Sequence, residues 1–249
     1  MEAIILIFNE ILYRPIFNLL VWTYNIIPGH DLGVAIILVT VFLRVILYPP
    51  SHKALKAQKA LQDLQPKIKE IQAKYKEKEA KAKAMMQFYK EHHVNPLSGC
   101  LPLLIQLPIL FALYRVFLTG LNGKSLEALY PFIQTPEILN PLFLGVLNLT
   151  EPSRMLAVLA GVSQFLQGKS MFVQHAQTGA SSSDFSNMMS KQMIYMMPLF
   201  MVFIAWKLPA GLALYWVVTT LFSLGQQMII NKSWKIRIFS RSARSGVAR

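Results

Sequence analysis

The sequence predicts an all-α polytopic membrane protein with five transmembrane helices. Of its 249 residues, 54% are hydrophobic and only 15% are charged, with a mean hydropathy of +0.40. A soluble domain carries about 25% charged residues, so a soluble fold is disfavoured. The 25 Lys and Arg outnumber the 12 Asp and Glu, which gives a net charge of +13. An apolar chain with this surplus is typical of a membrane protein whose cations lie on one side. With Cys100 as its one cysteine, it has no internal disulfide.

Five apolar stretches carry the prediction of five spans, because a helix needs ~20 mostly apolar residues to cross the hydrocarbon. The first contains one charge, Arg44, and the last two are separated at Pro209 and Gly211, which break a helix. The predicted spans are residues 32–50, 97–117, 153–171, 189–206 and 209–230.

The charges predict the orientation of these spans. Residues 51–95 contain 11 Lys against five acids, and residues 231–249 contain six cations and no acid, so each segment has a net charge of +6. Residues 1–31 and 119–152 each have a net charge of −2. The positive-inside rule therefore places the N-terminus outside and the C-terminus in the cytoplasm.

The predicted regions follow this topology. Residues 1–30 form an extracytoplasmic amphipathic helix in the outer interface, with a cleaved or spanning segment as the open alternative. Residues 31–50 form the first span. Residues 51–95 form a cytoplasmic helical hairpin, residues 96–231 contain four further spans with their loops, and residues 232–249 form a basic cytoplasmic tail.

The hairpin and the tail have distinct patterns. Leu61, Leu64, Ile68, Ile71 and Tyr75 repeat at coiled-coil spacing, and Pro66 within this seam is expected to kink the helix. The hairpin either contacts partners or is a solvated segment whose lysines fix topology. The tail is expected to be disordered and to bind anionic lipid or RNA through its charge. DNA is not an expected partner.

Signatures of catalysis are missing from the sequence. Gly168-Lys169-Ser170 resembles the end of a phosphate loop, but Ser163 stands where its first glycine belongs. All five histidines lie outside the spans or at their ends, and the adjacent His92 and His93 would diverge on a helix. We therefore predict a protein that is not an enzyme, with no catalytic residue, metal site or cofactor.

Polar residues inside the spans predict a hydrated cavity that opens to the basic side. Arg44 lies in the inner half of the first span, and a charge there costs ~2.5–3.5 kcal/mol unless it faces protein or water. Thr40 lies one turn earlier. Ser163, Gln164 and Gln167 cluster in the third span, while Trp216, Thr219, Ser223 and Gln226 form a stripe along the fifth. Snorkelling of Arg44 to head groups and simple helix packing by the small polar residues remain alternatives.

Half of the 12 methionines fall between residues 188 and 201. Flexible thioether side chains suit a surface that accepts varied apolar partners. Lipid contact or core packing is the alternative for this group, which comprises Met188, Met189, Met193, Met196, Met197 and Met201.

The segment Asn95-Pro-Leu-Ser-Gly-Cys-Leu-Pro-Leu-Leu-Ile-Gln-Leu-Pro-Ile-Leu-Phe-Ala-Leu-Tyr114 closely resembles the signature of the YidC insertases, which are related to the mitochondrial Oxa and chloroplast Albino proteins. Further similarity lies in Thr40–Arg44 with Tyr48-Pro49, in Leu64–Ile68 and in Pro209–Trp216. The resemblance extends from about residue 10 to residue 235. The chain resembles a minimal form of the family, without the large periplasmic domain or the lipoprotein cysteine of other members.

The resemblance implies a bacterial plasma membrane insertase and chaperone that inserts and folds nascent membrane proteins without nucleotide hydrolysis. Its five core helices would surround a hydrophilic groove open to cytoplasm and lipid. Ribosome binding through the basic tail is implied, and the Sec translocon is a further candidate partner. The implied groove residues are Arg44, Thr40, Gln164 and Trp216, with Gln167 and Tyr215 as near alternatives; Thr219 and Ser223 join them from the polar stripe. The residues expected to contact the client are Met189, Met193, Met196 and Met197.

Two other functions stay open at this point. A small transporter or channel could use Arg44 as an intramembrane anion site, although the sequence has no internal repeat of the kind such proteins show. A tether could bind ribosomes or lipid through its tail, with the spans as anchors alone.

Overall fold

A computed structural model describes residues 6–75, 77–95, 101–119, 128–136, 139–172 and 184–245. Within these ranges the regular secondary structure is helical apart from one short β-hairpin, in agreement with the predicted all-α class. A π-helical turn over Asn9–Tyr13 leads into the first helix. The helices are α1 (Arg14–Ile26), α2 (Leu32–Ile46), α3 (Tyr48–Asp63), α4 (Gln65–Lys74), α5 (Lys78–Glu91), α6 (Leu101–Thr119), α7 (Arg154–Phe172), α8 (Asp184–Ala205) and α9 (Ala210–Ser245), and the strands are β1 (Leu142–Phe143) and β2 (Leu147–Asn148).

Each predicted span overlaps a helix, namely α2, α6, α7, α8 or α9. Within the described ranges, Ala210–Ile230 of α9 is the one unbroken helix long and apolar enough to cross a bilayer. Leu32–Ile46 and Tyr48–Leu61 meet the same requirement together, but they are bent by 68° at the break between them. Gln106–Leu118 and Tyr195–Ala205 are shorter apolar helices. The number of helices that cross the bilayer therefore stays a prediction.

The ends of α2 follow from its sequence. At the N-terminus, the Asp31 carboxylate accepts a hydrogen bond from the Val34 amide at 2.9 Å and caps the helix. After Ile46 come Pro49 and Pro50, which have no amide hydrogen to donate to the preceding turn. The chain consequently bends away into α3.

The helices of the bundle approach one another closely where small residues lie. α9 packs against α7 and α2, and α7 packs against α8. A Cβ atom on Gly161 of α7 would lie 2.2 Å from the Val202 side chain of α8, and one on Gly211 of α9 would lie 2.0 Å from the Phe117 ring of α6. These glycines therefore set the distances between the helices.

The N-terminal helix α1 packs along the bundle on one face. Phe17, Val21 and Tyr24, at helical spacing, are almost fully buried against α2 and α6. On the other face Trp22 and Ile26 are more than half exposed. Both faces are thus apolar. Placement of this helix in the outer interface stays a prediction.

Residues 51–95 form three helical segments. The chain breaks at Leu64, and Pro66 lies in the first turn of α4, where the missing amide is tolerated. The effect expected of Pro66 is thereby observed as a break between α3 and α4. α4 packs against α5 around buried Ile68 and Phe88, and the Gln72 amide lies 3.8 Å from the Met85 sulfur.

The predicted disorder of the basic tail is wrong over residues 232–245, because α9 continues without interruption to Ser245. Residues 231–245 contain two aromatic residues, Trp234 and Phe239, and several aliphatic ones among the cations, and they contain no proline or glycine that would end a helix. Residues 246–249 lie outside the described part of the chain.

The β-hairpin lies where α2 and α9 begin. β1 and β2 pair antiparallel, with Phe143 opposite Leu147. The Asp31 carboxylate accepts a hydrogen bond from the Leu144 amide at 2.6 Å. On the other side, the Gly211 amide donates to the Leu149 carbonyl at 3.0 Å. The hairpin segment therefore connects the N-terminal ends of α2 and α9, two of the three helices that carry the predicted polar residues.

Candidate functional site

A cavity of about 580 Å³ lies between α2, α6, α7, α8 and α9. Its walls are of two kinds. The polar wall is formed by Arg44, Gln106, Gln164, Gln167, Thr219, Thr220 and Ser223, with Tyr114 and Trp216 beside them. The apolar wall comes mainly from α6 and α8 and consists of Leu107, Leu110, Phe111, Met197, Phe200, Met201, Ile204, Leu208 and Leu212.

Arg44 is held by a neutral partner. Its Nη2 donates a hydrogen bond to Oε1 of Gln106 on α6, and Nε2 of Gln106 donates to the hydroxyl oxygen of Tyr215 on α9. Gln106 therefore joins α2, α6 and α9 through one amide group. Because this partner is uncharged, it orients the guanidinium without neutralising it.

Six of the eight predicted groove residues line this cavity. They are Arg44, Gln164, Gln167, Trp216, Thr219 and Ser223. The structure thus places both Gln164 and Gln167, which the sequence left as alternatives, in the same wall. The helical spacing of these polar residues explains their shared face.

Thr40 and Tyr215 do not line the cavity, although the sequence assigned them to it. The Thr40 hydroxyl donates to the Ile36 carbonyl at 2.6 Å, and the residue is 2% exposed. Thr40 is thus satisfied by its own helix. Tyr215 is also 2% exposed, and it reaches the site through Gln106. Of the two aromatic alternatives, Trp216 lines the cavity, whereas Tyr215 is buried and contacts the lining residue Gln106.

The methionines expected to contact the client also differ in whether they line the cavity. Met197 lines the cavity, whereas Met196 is 56% exposed and is absent from the lining. Met189 and Met193 lie on α8, with side chains outside the described part of the structure. Met201, Phe200 and Ile204 complete the apolar wall on α8.

Gln106 and Tyr114 are polar lining residues that the sequence analysis missed, whereas Thr220 lies beside the polar stripe that the sequence predicts on α9. Gln106 carried a detectable signal, because it is the one amide side chain within the predicted span 97–117. A lone amide in hydrocarbon needs a partner. Its partners lie 62 and 109 residues away in the chain, and no local pattern could identify them.

A second polar layer lies beyond the cavity along α7 and α9. The Ser170 hydroxyl donates to the Gln227 side-chain carbonyl at 2.6 Å. Gln226 and Gln227 are 3% and 6% exposed, and their Nε2 atoms have no hydrogen-bond partner among the described residues. Unpaired buried amides are costly, so this layer is a favourable place for water. The polar stripe of α9 thus extends one turn past Ser223.

The described residues hold no group of three or more His, Cys, Asp or Glu side chains positioned for a metal ion. The polar groups that line the cavity are a guanidinium, amides, hydroxyls and an indole. Such groups can solvate a polar chain or attract an anion, and they present no nucleophile with an adjacent base.

Comparison with known proteins is consistent with the resemblance seen in the sequence. Residues 22–237 match the family described as 60Kd inner membrane protein. The chain is 35% identical over 221 residues to a protein of Wolinella succinogenes and 40% identical over 218 residues to one of Treponema denticola. These matches cover 88% and 85% of this chain but only 37% and 36% of the relatives, so the chain spans little more than a third of their length.

A protein of Oceanobacillus iheyensis matches over most of both chains, with 35% identity over 234 residues, 91% of this chain and 84% of the relative. All three relatives are named membrane protein insertase YidC. A crystal structure of an active YidC insertase with its first transmembrane domain resolved superimposes with a TM-score of 0.58 at 27% identity, over 88% of this chain and 45% of that chain. The helical fold, the family match over residues 22–237 and the relatives agree: this chain belongs to the family of the 60Kd inner membrane protein, the YidC insertases.

Proposed function

We propose that this protein is a membrane protein insertase and chaperone that inserts and folds nascent membrane proteins through the hydrophilic cavity. The observation that carries the proposal is the cavity itself, whose lining combines Arg44 and several amides with apolar side chains of α6 and α8. A polar chain segment and an apolar segment of one client can each find a matching surface there.

The physical basis is the cost of desolvation. Moving an unpaired peptide group from water into an apolar environment costs roughly 2–7 kcal/mol. A client's polar segment that enters the cavity keeps hydrogen-bond partners among Gln164, Gln167 and Ser223. Its apolar segment passes along the α6–α8 wall, where Met197 lies, and its transfer into lipid supplies the driving free energy. No chemical step or nucleotide is required.

The proposed topology has five spans around the groove, with the N-terminus outside the plasma membrane and the C-terminus in the cytoplasm. The charge pattern supports it, since residues 51–95 and 231–249 each carry +6. In this arrangement the β-hairpin lies at the outer end of α2 and the α4–α5 pair lies in the cytoplasm. Bending of the chain after Ile46 fits the passage from membrane to cytoplasm.

The proposed partners follow from this placement. Nascent membrane proteins are the clients and the bilayer is the receiving phase. The basic end of α9 offers a surface for the ribosome, whose RNA is a polyanion. The Sec translocon is a further proposed partner for clients with several spans. DNA is not a proposed partner.

The transporter alternative finds less support. Among the described residues, the cavity has one charged lining residue, Arg44, and the chain has one bent helix pair, Leu32–Ile46 with Tyr48–Leu61, where such transporters typically have two interrupted helices. The tether alternative leaves the cavity without a role. Both are separable from the insertase proposal by experiment.

The test is insertion of a single-span client with an acidic outer segment into proteoliposomes that hold the purified protein. Variants are Arg44→Ala, a deletion of residues 232–249, and Arg154→Ala as the matched control. Arg154 is exposed at the start of α7, where it lies over the Trp206 ring at 5.5 Å and outside the cavity lining.

The proposal expects efficient insertion by the unchanged protein and by Arg154→Ala, with a reduced rate for Arg44→Ala. Lack of insertion by the unchanged protein would refute it. Complete loss on tail deletion, together with full activity of Arg44→Ala, would support the tether. Anion flux that depends on Arg44 in the absence of a client would support the transporter.

A further inference from the structure

The tip of the β1–β2 hairpin presents apolar side chains away from the protein. Leu144 is 68% exposed and Val146 is 87% exposed. Phe132, in the preceding loop, is 80% exposed. Residues 139–150 contain no charged side chain. A hairpin tip in water would normally carry polar turn residues, so this composition needs a different environment.

The backbone conformation of the turn also makes a leucine at the tip unusual. Leu144 and Gly145 have φ values of 51° and 72°, and the Val146 amide donates to the Phe143 carbonyl at 3.1 Å. Asn and Gly adopt this left-handed conformation readily, whereas a bulky side chain pays a steric cost. The turn therefore carries a leucine at a position where a polar residue would be less strained.

The hairpin is held rigidly in place. Its Phe143 ring fills the space beside Gly33, where an added Cβ would lie 2.1 Å from the ring. Asp31 accepts a hydrogen bond from the Leu144 amide, and the Asn140 amide donates to the Tyr24 hydroxyl at 3.0 Å. The exposed tip is thus fixed relative to α1 and α2.

The length of α2 is compatible with lipid around the tip. Its 15 residues span only about 22 Å at 1.5 Å per residue, whereas the hydrocarbon core is about 30 Å thick. Apolar surface beyond the N-terminal end of α2 would extend the apolar belt of the protein outward. The exposed Trp22 and Ile26 at the end of α1 continue the same belt.

We propose that the hairpin tip is a lipid-binding element, in which Leu144 and Val146 insert among phospholipids at the interface of the outer leaflet. Its partner is the boundary between glycerol groups and acyl chains, which accepts apolar side chains of short loops and helices. The inference rests on the proposed membrane orientation and not on insertase activity.

The test uses nitroxide labels in proteoliposomes of phosphatidylcholine and phosphatidylglycerol. In a Cys100→Ser background, single cysteines replace Val146, Phe42 and Glu151. Phe42 is 51% exposed on α2 and serves as the reference in lipid, while exposed Glu151 serves as the reference in water. Collision rates with oxygen and with a water-soluble nickel chelate are measured by electron paramagnetic resonance.

The ratio of oxygen to nickel collisions at position 146 is expected to lie well above that at 151 and toward that at 42. A ratio equal to that at 151 would overturn the proposal. Strong coupling between labels that persists on dilution with lipid would assign the tip to a second copy of the chain and also overturn it. Leu144→Asn should keep the fold, since Asn tolerates the turn, and should lower the ratio at 146. Loss of insertion activity leaves this measurement unaffected.

Discussion

Replacement of Gln106 by Glu would place one negative charge directly beside Arg44 in the cavity lining. In the unchanged protein the side-chain oxygen of Gln106 accepts a hydrogen bond from Arg44, and because this group is neutral it does not compensate the guanidinium charge. A carboxylate at the same place would form an ion pair with Arg44. The cavity would then lose its attraction for an acidic client segment while keeping its volume, because the two side chains are nearly the same size.

The size of the effect follows from the cavity dimensions. A volume of about 580 Å³ corresponds to a sphere of about 5 Å radius, which sets the separation between Arg44 and a client carboxylate at the centre. Two unit charges at this separation attract by about 3 kcal/mol at an effective dielectric constant of 20 and by about 0.8 kcal/mol in water. These free energies correspond to a preference of about 4-fold to about 200-fold for an acidic client over a neutral one, and the variant is expected to lose this preference.

The assay compares two single-span clients that differ by one residue, Asp or Asn, in the outer segment. The ratio of their insertion rates in proteoliposomes isolates the charge term from the hydrophobic term. Gln106→Glu is expected to bring this ratio close to one. Gln106→Leu removes both hydrogen bonds of the amide without adding charge, so the ratio should stay above one while stability falls by about 1–3 kcal/mol.

An unchanged Asp-to-Asn ratio in Gln106→Glu would refute the reasoning, provided that the variant inserts the Asn client. Arg44→Lys is the matched control for charge. It keeps the cation but lacks the planar fork of the guanidinium, and it should retain a ratio above one.

Two further predictions concern packing. Gly211→Ala should destabilise the protein by about 1–3 kcal/mol, because the added Cβ would lie 2.0 Å from the Phe117 ring. Gly225→Ala is the control and should not destabilise the protein, because a Cβ there would lie in open space. Thermal unfolding in detergent compares the two variants. Asn18→Leu should cost about 1–3 kcal/mol, since buried Asn18 accepts a hydrogen bond from the Tyr130 amide at 2.6 Å, and limited proteolysis should then cut residues 128–136 faster.

Much of the fold and site could be predicted because the signals are periodic. Helical spacing places Trp216, Thr219 and Ser223 on one face of α9, and that face lines the cavity. The cost of burying Arg44 predicted that it would face protein or water, and it lines the cavity and contacts Gln106. Apolar stretches located the helices because hydrocarbon and backbone hydrogen bonding leave few other solutions.

Features that depend on distant partners escaped prediction. Gln106 reads as one polar residue in an apolar helix, and its role appears only when α2 and α9 are brought to it. Thr40 has the correct spacing from Arg44, yet its hydroxyl returns to the Ile36 carbonyl. Spacing gives a shared face but cannot decide whether a hydroxyl turns to the cavity or to its own backbone.

Two arginines of this chain show how a structural cation differs from one that could attract the proposed client. Arg14 pairs with the Glu10 carboxylate at 3.1 Å, donates to the Ala128 carbonyl at 3.1 Å and lies over the Tyr130 ring. Its charge is compensated, and its contacts hold a loop to α1. Arg44 has a neutral amide as its described partner and faces a cavity large enough for part of a polypeptide. Because no carboxylate of the described residues pairs with Arg44, an acidic group that enters the cavity would gain the attraction of its charge. The surplus of positive charge in the sequence therefore has two meanings: most cations lie in the two basic segments and support the proposed orientation, while Arg44 belongs to neither segment and is the one charged residue among those that line the cavity.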